Sequence, residues 1–380
     1  MKIAYVINSV EGGGAAAPVP AVVRVLAAQG AEVRVLALTL RDGRGLPAMV
    51  KAGVRVNVRA GGDRDHAAAL FWLDQQIGCL SPNLVWTSLT RATLLGQLAA
   101  ARRGLPVVSW QHAAYLKPAN RVLLRATQHL SALWVGDSES VTAVTGTRLG
   151  VGPDRLATWP LFAADPTAPR ARPWQWGKPL RLGSLGRLHP VKGYDVLIAA
   201  LAHLREQGFR PPIPFEVRIA GAGSQREALQ AAAVSAGVDC LRLEGFVDSP
   251  RTWLTRLEGY LQPSRSEGLC LAAHEAMQAG LPTIVSAVGE LPYSVVPGQT
   301  GWVVPPADPR GLAAALREML VRPDRLAGMG AAGRERLFAR FGAEAFAAAG
   351  AAVLARVSPP GHATGAPIRS QHRPRTGRSA

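Results

Sequence analysis

The chain reads as an α/β protein built from two doubly wound domains, and two observations carry that reading. Short β-branched runs alternate with Ala- and Leu-rich helical stretches, and the alternation occurs twice, over 1–165 and again over 180–340. Most of the runs are near-continuously apolar, as parallel strands covered on both faces require.

The first series of expected strands covers 2–8, 33–39, 54–58, 84–87, 106–109 and 132–136. The second covers 180–185, 215–220, 241–246, 259–262, 282–286 and 301–304. Between them, residues 163–179 hold four prolines and no apolar periodicity, which marks 166–179 as a linker. Residues 341–357 form a late helical stretch expected to pack back on the N-terminal domain. The tail, 358–380, is rich in Pro, Gly, Ser and Arg, cannot bury a core, and is expected to be disordered. In two such domains, ligands bind at the carboxyl ends of the strands, here the cleft between the domains.

The 380 residues are 48% hydrophobic, enough for sizeable cores, yet 43 Lys+Arg face 26 Asp+Glu for a net charge of +17. That excess points to an anionic partner such as nucleotide phosphate or a membrane surface. Arg369, Arg373, Arg375 and Arg378 of the tail supply part of it. No helix-turn-helix, zinc or aromatic RNA motif accompanies the charge, so a basic nucleic-acid-binding protein is disfavoured. Cys79, Cys240 and Cys270 are widely spaced and form no C-x-x-C pair, which indicates neither a zinc site nor a disulfide framework and suits a reducing cytosol. Met1–Asn8 reads as a strand without the apolar region of a signal peptide. No uninterrupted apolar run reaches the roughly 18 residues of a membrane span, so the expected location is cytoplasmic, with any contact to an anionic membrane peripheral.

The sharpest signal is Glu267-Gly268-Leu269-Cys270-Leu271-Ala272-Ala273-His274-Glu275-Ala276-Met277, two carboxylates separated by seven residues. The strand Tyr260–Gln262 and the loop Pro263–Ser266 precede it, which sets Glu267 at or just before a helix N-terminus. Glu275 then lies about 12 Å further along the helix at roughly 1.5 Å per residue. Backbone N–H groups near Gly268, Leu269 and Cys270 would form an anion site suited to a diphosphate. By spacing alone, an amphipathic helix with two surface glutamates is the favoured reading.

The surrounding residues decide between these. Gly186-Arg187-Leu188, Lys192-Gly193 followed by Leu197-Ile198-Ala199-Ala200, Gly221-Ala222-Gly223, Gly245-Phe246-Val247, the Glu-x7-Glu segment, and Thr300-Gly301-Trp302-Val303-Val304-Pro305 follow in order. Over about 180–310 this resembles glycosyltransferase family 4, the retaining enzymes of GT-B fold (two Rossmann-like domains facing across a cleft). The resemblance implies a sugar transferred with retention from a UDP- or GDP-sugar to a glycan or lipid-linked acceptor, in cell-envelope or polysaccharide biosynthesis, without a metal or other cofactor. It implies that Arg187 and Lys192 bind the donor diphosphate, that Glu275 holds the ribose hydroxyls and that Glu267 contacts the transferred sugar. Gly186, Gly221, Phe246, Val247, Gly268, Leu269 and Cys270 complete the donor side.

The first half matches more loosely. Gly13 and Gly14, in Glu11-Gly12-Gly13-Gly14-Ala15, resemble the family's glycine-rich loop facing the diphosphate, where glycine lets backbone approach a ligand. His112 resembles the histidine near the reaction centre. Asp137-Ser138-Glu139-Ser140 is expected to act mainly as a helix cap. One departure stands out: where the family runs G-G-x-x-E, this chain has Gly289-Glu290-Leu291-Pro292-Tyr293. Cys270, at a commonly small position, is expected to pack rather than act as a nucleophile.

Other readings weigh less. Gly12-x-Gly14-x-x-Ala17 fits a dinucleotide fingerprint, but Pro18 and Pro20 push the helix start past the loop and no acid ends the second strand. Asp63-Arg64-Asp65 has the form of a metal-binding D-x-D and reads as a solvated loop. A GT-B epimerase or phosphorylase would share the cleft without transferring sugar from a nucleotide to an acceptor.

Overall fold

The computed structural model of the chain describes residues 1–112 and 116–358. The tail expected to be disordered therefore lies, from residue 359 on, outside the described residues.

The first sheet comprises β1 (Lys2–Ser9), β2 (Glu32–Thr39), β3 (Arg55–Val58), β4 (Leu84–Ser88), β5 (Val107–Gln111), β6 (Leu133–Gly136) and β7 (Leu156–Thr158). Its order is β3-β2-β1-β4-β5-β6-β7, and every pairing is parallel. The second comprises β8 (Leu180–Leu185), β9 (Phe215–Ala220), β10 (Leu241–Gly245), β11 (Gly259–Gln262), β12 (Thr283–Ser286) and β13 (Gly301–Val304). It is ordered β10-β9-β8-β11-β12-β13, again all parallel. The strands expected from sequence are present to within a residue or two, and β7, half-buried at the sheet edge, is an addition.

The connecting helices of the first half are α1 (Val19–Ala28), α2 (Leu46–Lys51), α3 (His66–Leu80), α4 (Thr90–Ala101), α5 (Pro118–Thr127) and α6 (Glu139–Leu149). Those of the second are α7 (Tyr194–Glu206), α8 (Arg226–Ser235), α9 (Pro250–Leu254), α10 (Leu271–Gln278), α11 (Leu291–Ser294) and α12 (Pro309–Val321). Two more, α13 (Leu326–Phe341) and α14 (Ala343–Ala355), close the described chain. This is the GT-B arrangement.

Each sheet reverses its winding at one place, β1/β4 in the first and β8/β11 in the second, and such switch points open a crevice at the carboxyl ends of the strands. The segments expected to carry chemistry leave β1, β8 and β11 at these crevices.

One apolar cluster joins the two halves. It runs from Ile3, Tyr5 and Trp86 through Trp159, Leu161 and Phe162 to Leu269, Met277 and Phe341. Trp159 stacks on Trp110 at a centroid distance of 4.8 Å and meets Phe346 of α14 at 5.3 Å. Gly350 of α14 approaches so closely that an added Cβ would lie 2.4 Å from the Trp159 ring. The final helix thus lies against α1 and β7 of the first sheet. The run Pro323–Ala355 is long and apolar enough in composition to cross a membrane. In this fold the extended backbone of Gly342 breaks it in two, and Leu337, Phe341, Phe346, Val353 and Leu354 are buried in the core.

Candidate active site

The second domain builds its side of the cleft from tight glycine contacts. Gly221 and Gly223 have positive φ, and a Cβ on either would strike the Gly186 or Leu188 carbonyl oxygen at 1.9 and 2.3 Å. Only glycine lets the loops after β8 and β9 lie this close. Gly193, with φ of 66°, is pressed on the Pro263 carbonyl and ends the short turn Pro190–Lys192. That turn aims Lys192 at the loop after β11.

There Glu267 becomes a hub. Its Oε1 accepts from Lys192 Nζ at 2.7 Å, Ser264 Oγ at 2.6 Å and Gln262 Nε2 at 3.1 Å. Tyr260 donates to Gln262 Oε1 at 2.8 Å, so the relay starts in the core. Burial works against the Lys192 charge, but Glu267 outweighs it and the lysine pKa is raised. Lys192 is therefore a held ammonium at physiological pH. Arg187, at the end of β8, is exposed and has no hydrogen bond or ion pair among the described residues.

Glu275 sits on α10 with its pKa raised by burial, against the pull of Arg251. Arg251 Nε lies 3.6 Å from it and reaches Asp165 beside the linker at 3.0 Å. Cys270 caps α10 with a left-handed φ of 65°, and burial pushes its thiol up, away from thiolate chemistry. Gly245 also turns with positive φ, after which Phe246 is exposed and Val247 half-buried.

On the facing domain, Gly13 has φ of 131°, and neither Gly13 nor Gly14 has any atom within 4 Å of where a Cβ would stand. The loop is open backbone, and α1 begins only at Val19. Beside it Arg44 packs against Gly12 and lies 3.9 Å over the Phe246 ring from across the cleft.

His112 ends β5, and its surroundings define its tautomer. Ser88 Oγ is 2.6 Å from His112 Nε2. Burial drives the His112 pKa down to about 3, so the ring is neutral. With Ser88 donating to Nε2, the proton rests on Nδ1, which is buried without a hydrogen-bond partner among the described residues, 3.8 Å from Asp137 Oδ2. In that tautomer His112 offers its Nδ1–H beside Asp137.

Asp137 changes the expected picture. Ser138, not Asp137, is the α6 cap, accepting the Val141 N–H at 3.2 Å. Asp137 instead crosses the cleft, and the Leu269 N–H turned toward it offsets part of the effect of its burial. Burial, with smaller contributions from Glu290 and Glu267, pushes its carboxyl up to about 8. A neutral carboxyl thus stands where an anion was expected. Gly268 makes this meeting possible: a Cβ there would lie 2.4 Å from the His112 carbonyl oxygen and 3.2 Å from Asp137 Oδ2. Glu290, replacing the family's second glycine, is buried and takes Arg340 at 2.6 Å, while Arg340 also bonds the Tyr293 carbonyl. Ser88 and Gln262 had no sequence signal as site residues, because strand neighbours create their roles, and Asp137, read with its turn as a cap, takes its place at the site from the opposing domain.

Asp63 and Asp65 are held by arginines. Arg41 reaches Asp63 at 3.3 Å, and Arg91 reaches Asp65 at 3.0 Å with Arg59 alongside. Hydrogen bonding to Arg59 keeps the Asp65 carboxyl well below its usual range.

Among solved structures, the chain superposes on Anabaena HepE in complex with UDP-glucose with a TM-score of 0.79 at 19% identity, covering 93% of this chain and 99% of that one. That likeness defines the class by fold, GT-B. Residues 179–322 match the family model described as Glycosyl transferases group 1. The D-inositol 3-phosphate glycosyltransferase of Streptomyces scabiei is 34% identical over 157 residues, 39% of this chain and 35% of that protein. The glycogen synthase of Mycobacterium tuberculosis is 29% identical over 322 residues, 80% of this chain and 73% of that protein. The chain spans between about a third and two thirds of the length of these D-inositol 3-phosphate glycosyltransferases, 35% of the Streptomyces scabiei protein and 65% of the Streptomyces griseus one.

Proposed function

We propose that the protein is a retaining glycosyltransferase of family 4, moving a sugar from a UDP- or GDP-sugar to a glycan or lipid-linked acceptor in cell-envelope or polysaccharide biosynthesis. The observation that carries this reading is the Lys192–Glu267 pair beside the unpaired Arg187, where the loops of β8 and β11 meet at a switch point.

The chemistry follows from charge. As the glycosidic bond breaks, negative charge grows on the leaving diphosphate, and preorganised cations facing it lower the barrier. Lys192 is fixed by Glu267, and Arg187 is free to reach a phosphate. Together they supply the neutralisation a divalent ion otherwise gives, which supports turnover without metal. Neutral Asp137 adds no repulsion toward a diphosphate, and its O–H could donate to a ligand oxygen. Glu275, half-buried and opposite a cation it shares with Asp165, suits two ribose hydroxyls. His112 Nδ1–H suits a sugar hydroxyl. The acceptor then attacks on the face the diphosphate leaves, retaining configuration. Closed domains exclude the water that would hydrolyse the donor. The reading places the protein in the cytoplasm, with peripheral contact to an anionic membrane.

A thermal-shift panel of UDP- and GDP-sugars in excess chelator tests it. One nucleotide series should raise the melting temperature of the wild type and not of Glu275→Ala. No shift with any nucleotide would overturn the reading.

A further inference from the structure

We infer that α5 is a docking surface for an anionic lipid bilayer, placing the membrane contact on the first domain rather than on the basic tail. The inference rests on the membrane-contact part of the reading above and not on its donor site.

Helix α5 buries only Leu124. Ala119, Val122, Leu123 and Ala126 are all exposed, and their i, i+3, i+4, i+7 spacing puts them on one stripe. Val122 is 64% exposed and Leu123 50%. Single exposed apolar residues are ordinary on protein surfaces, but a continuous stripe along a helix is not. Lys117, Arg121 and Arg125 follow one another at i+4 spacing beside it. None of the three has a side-chain hydrogen bond or ion pair among the described residues.

No acid balances them. Between Asp74 and Asp137 the chain carries no acidic residue. Helix α5 packs on α4, which has no acid, and on α6, whose acid is Glu139. Asp137, just before α6, is buried. Leu98 of α4 is exposed as well. An apolar stripe edged by uncompensated cations matches a surface offering hydrocarbon and negative headgroups together, and an amphipathic helix lies in the plane of such an interface. Nucleic acid offers no apolar partner for Val122 and Leu123.

The position has a functional consequence. Helix α5 starts six residues after His112, so its N-terminal end is at the carboxyl edge of the sheet, beside the cleft. A chain docked through α5 would hold that cleft close to a lipid-borne acceptor.

Flotation of the full chain with vesicles of phosphatidylcholine containing phosphatidylglycerol, against vesicles of phosphatidylcholine alone, tests this. The wild type should float with the anionic vesicles and be released by high salt. Lys117→Glu/Arg121→Glu/Arg125→Glu should lose binding by a hundredfold or more, at about fivefold per cation. Val122→Ser/Leu123→Ser should weaken binding at every salt concentration. Both variants should keep the wild-type thermal shift with the nucleotide, which separates this inference from the donor-site reading. Unchanged flotation of the triple variant would assign docking to the tail and overturn it. So would absence of vesicle binding together with a wild-type dimer that Leu123→Ser converts to monomer, which would make the stripe a self-association surface.

Discussion

A carboxyl group buried between two domains is sensitive to pH in a direction that can be worked out. Asp137 titrates near 8 in the folded chain because of burial, against an ordinary value of 3.8. A raised pKa stabilises the fold fully below the unfolded value and loses that contribution as pH rises toward the folded one. Wild-type stability attributable to Asp137 should therefore decline from about pH 4 to about pH 8 and then level. Asp137→Asn keeps an oxygen toward the Leu269 N–H and removes the ionisation. Melting curves of both proteins should show the Asn variant gaining on the wild type across that range, whereas a pH-independent difference would remove Asp137 from the buried position. Neutral His112, held down to about 3 by burial, predicts no histidine ionisation in the activity profile between pH 5.5 and 8. Such an inflection, abolished by His112→Gln, would contradict a ring held neutral by burial. At this scale the sequence was half-legible. Glu267 and Lys192 stood out through motif and spacing, but their direct contact is a product of the Gly193–Pro263 approach. The turn Asp137–Ser140 read as a helix cap, which Ser138 fulfils, and only the opposing domain gives Asp137 its own place at the cleft.

Elements that carry the site are joined by glycines, and substitution there tests packing rather than charge. Gly268→Ala would place a methyl 2.4 Å from the His112 carbonyl oxygen. The domains must part to accept it, so turnover should fall about a hundredfold, the cost of misplacing reacting groups by an ångström. Small-angle scattering should show a larger radius of gyration, and a wild-type radius with wild-type turnover would refute the closed interface. Gly350→Ala presses α14 against Trp159 and Val25, and overpacking of this kind costs about 1–3 kcal/mol. Urea denaturation should reveal it, and an unchanged midpoint would mean α14 is not seated on the first sheet. The parallel strands were readable because both faces are covered, making each a short unbroken apolar run. Strand β7 escaped because Leu156–Thr158 is three half-buried residues at an edge, where no such run is required.

At the scale of the molecule, two sheets with facing switch points bring basic residues from one and a buried Ser–His–Asp line from the other to the same cleft. The fold was predictable from the doubled strand–helix alternation. The approach of Asp137 to Leu269 was not, since nothing local in either segment encodes the other domain. Arg187 and Lys192 are the groups proposed to stabilise a departing diphosphate, and steady-state kinetics of Arg187→Ala, Lys192→Ala and the double variant test that role. Removing a donor that acts mainly in the transition state should lower kcat by about a hundred- to a thousandfold with little change in donor KM. The double variant should lose less than the product of the two, since both serve one leaving group. Variants that raise only the donor KM, with kcat unchanged, would contradict the account.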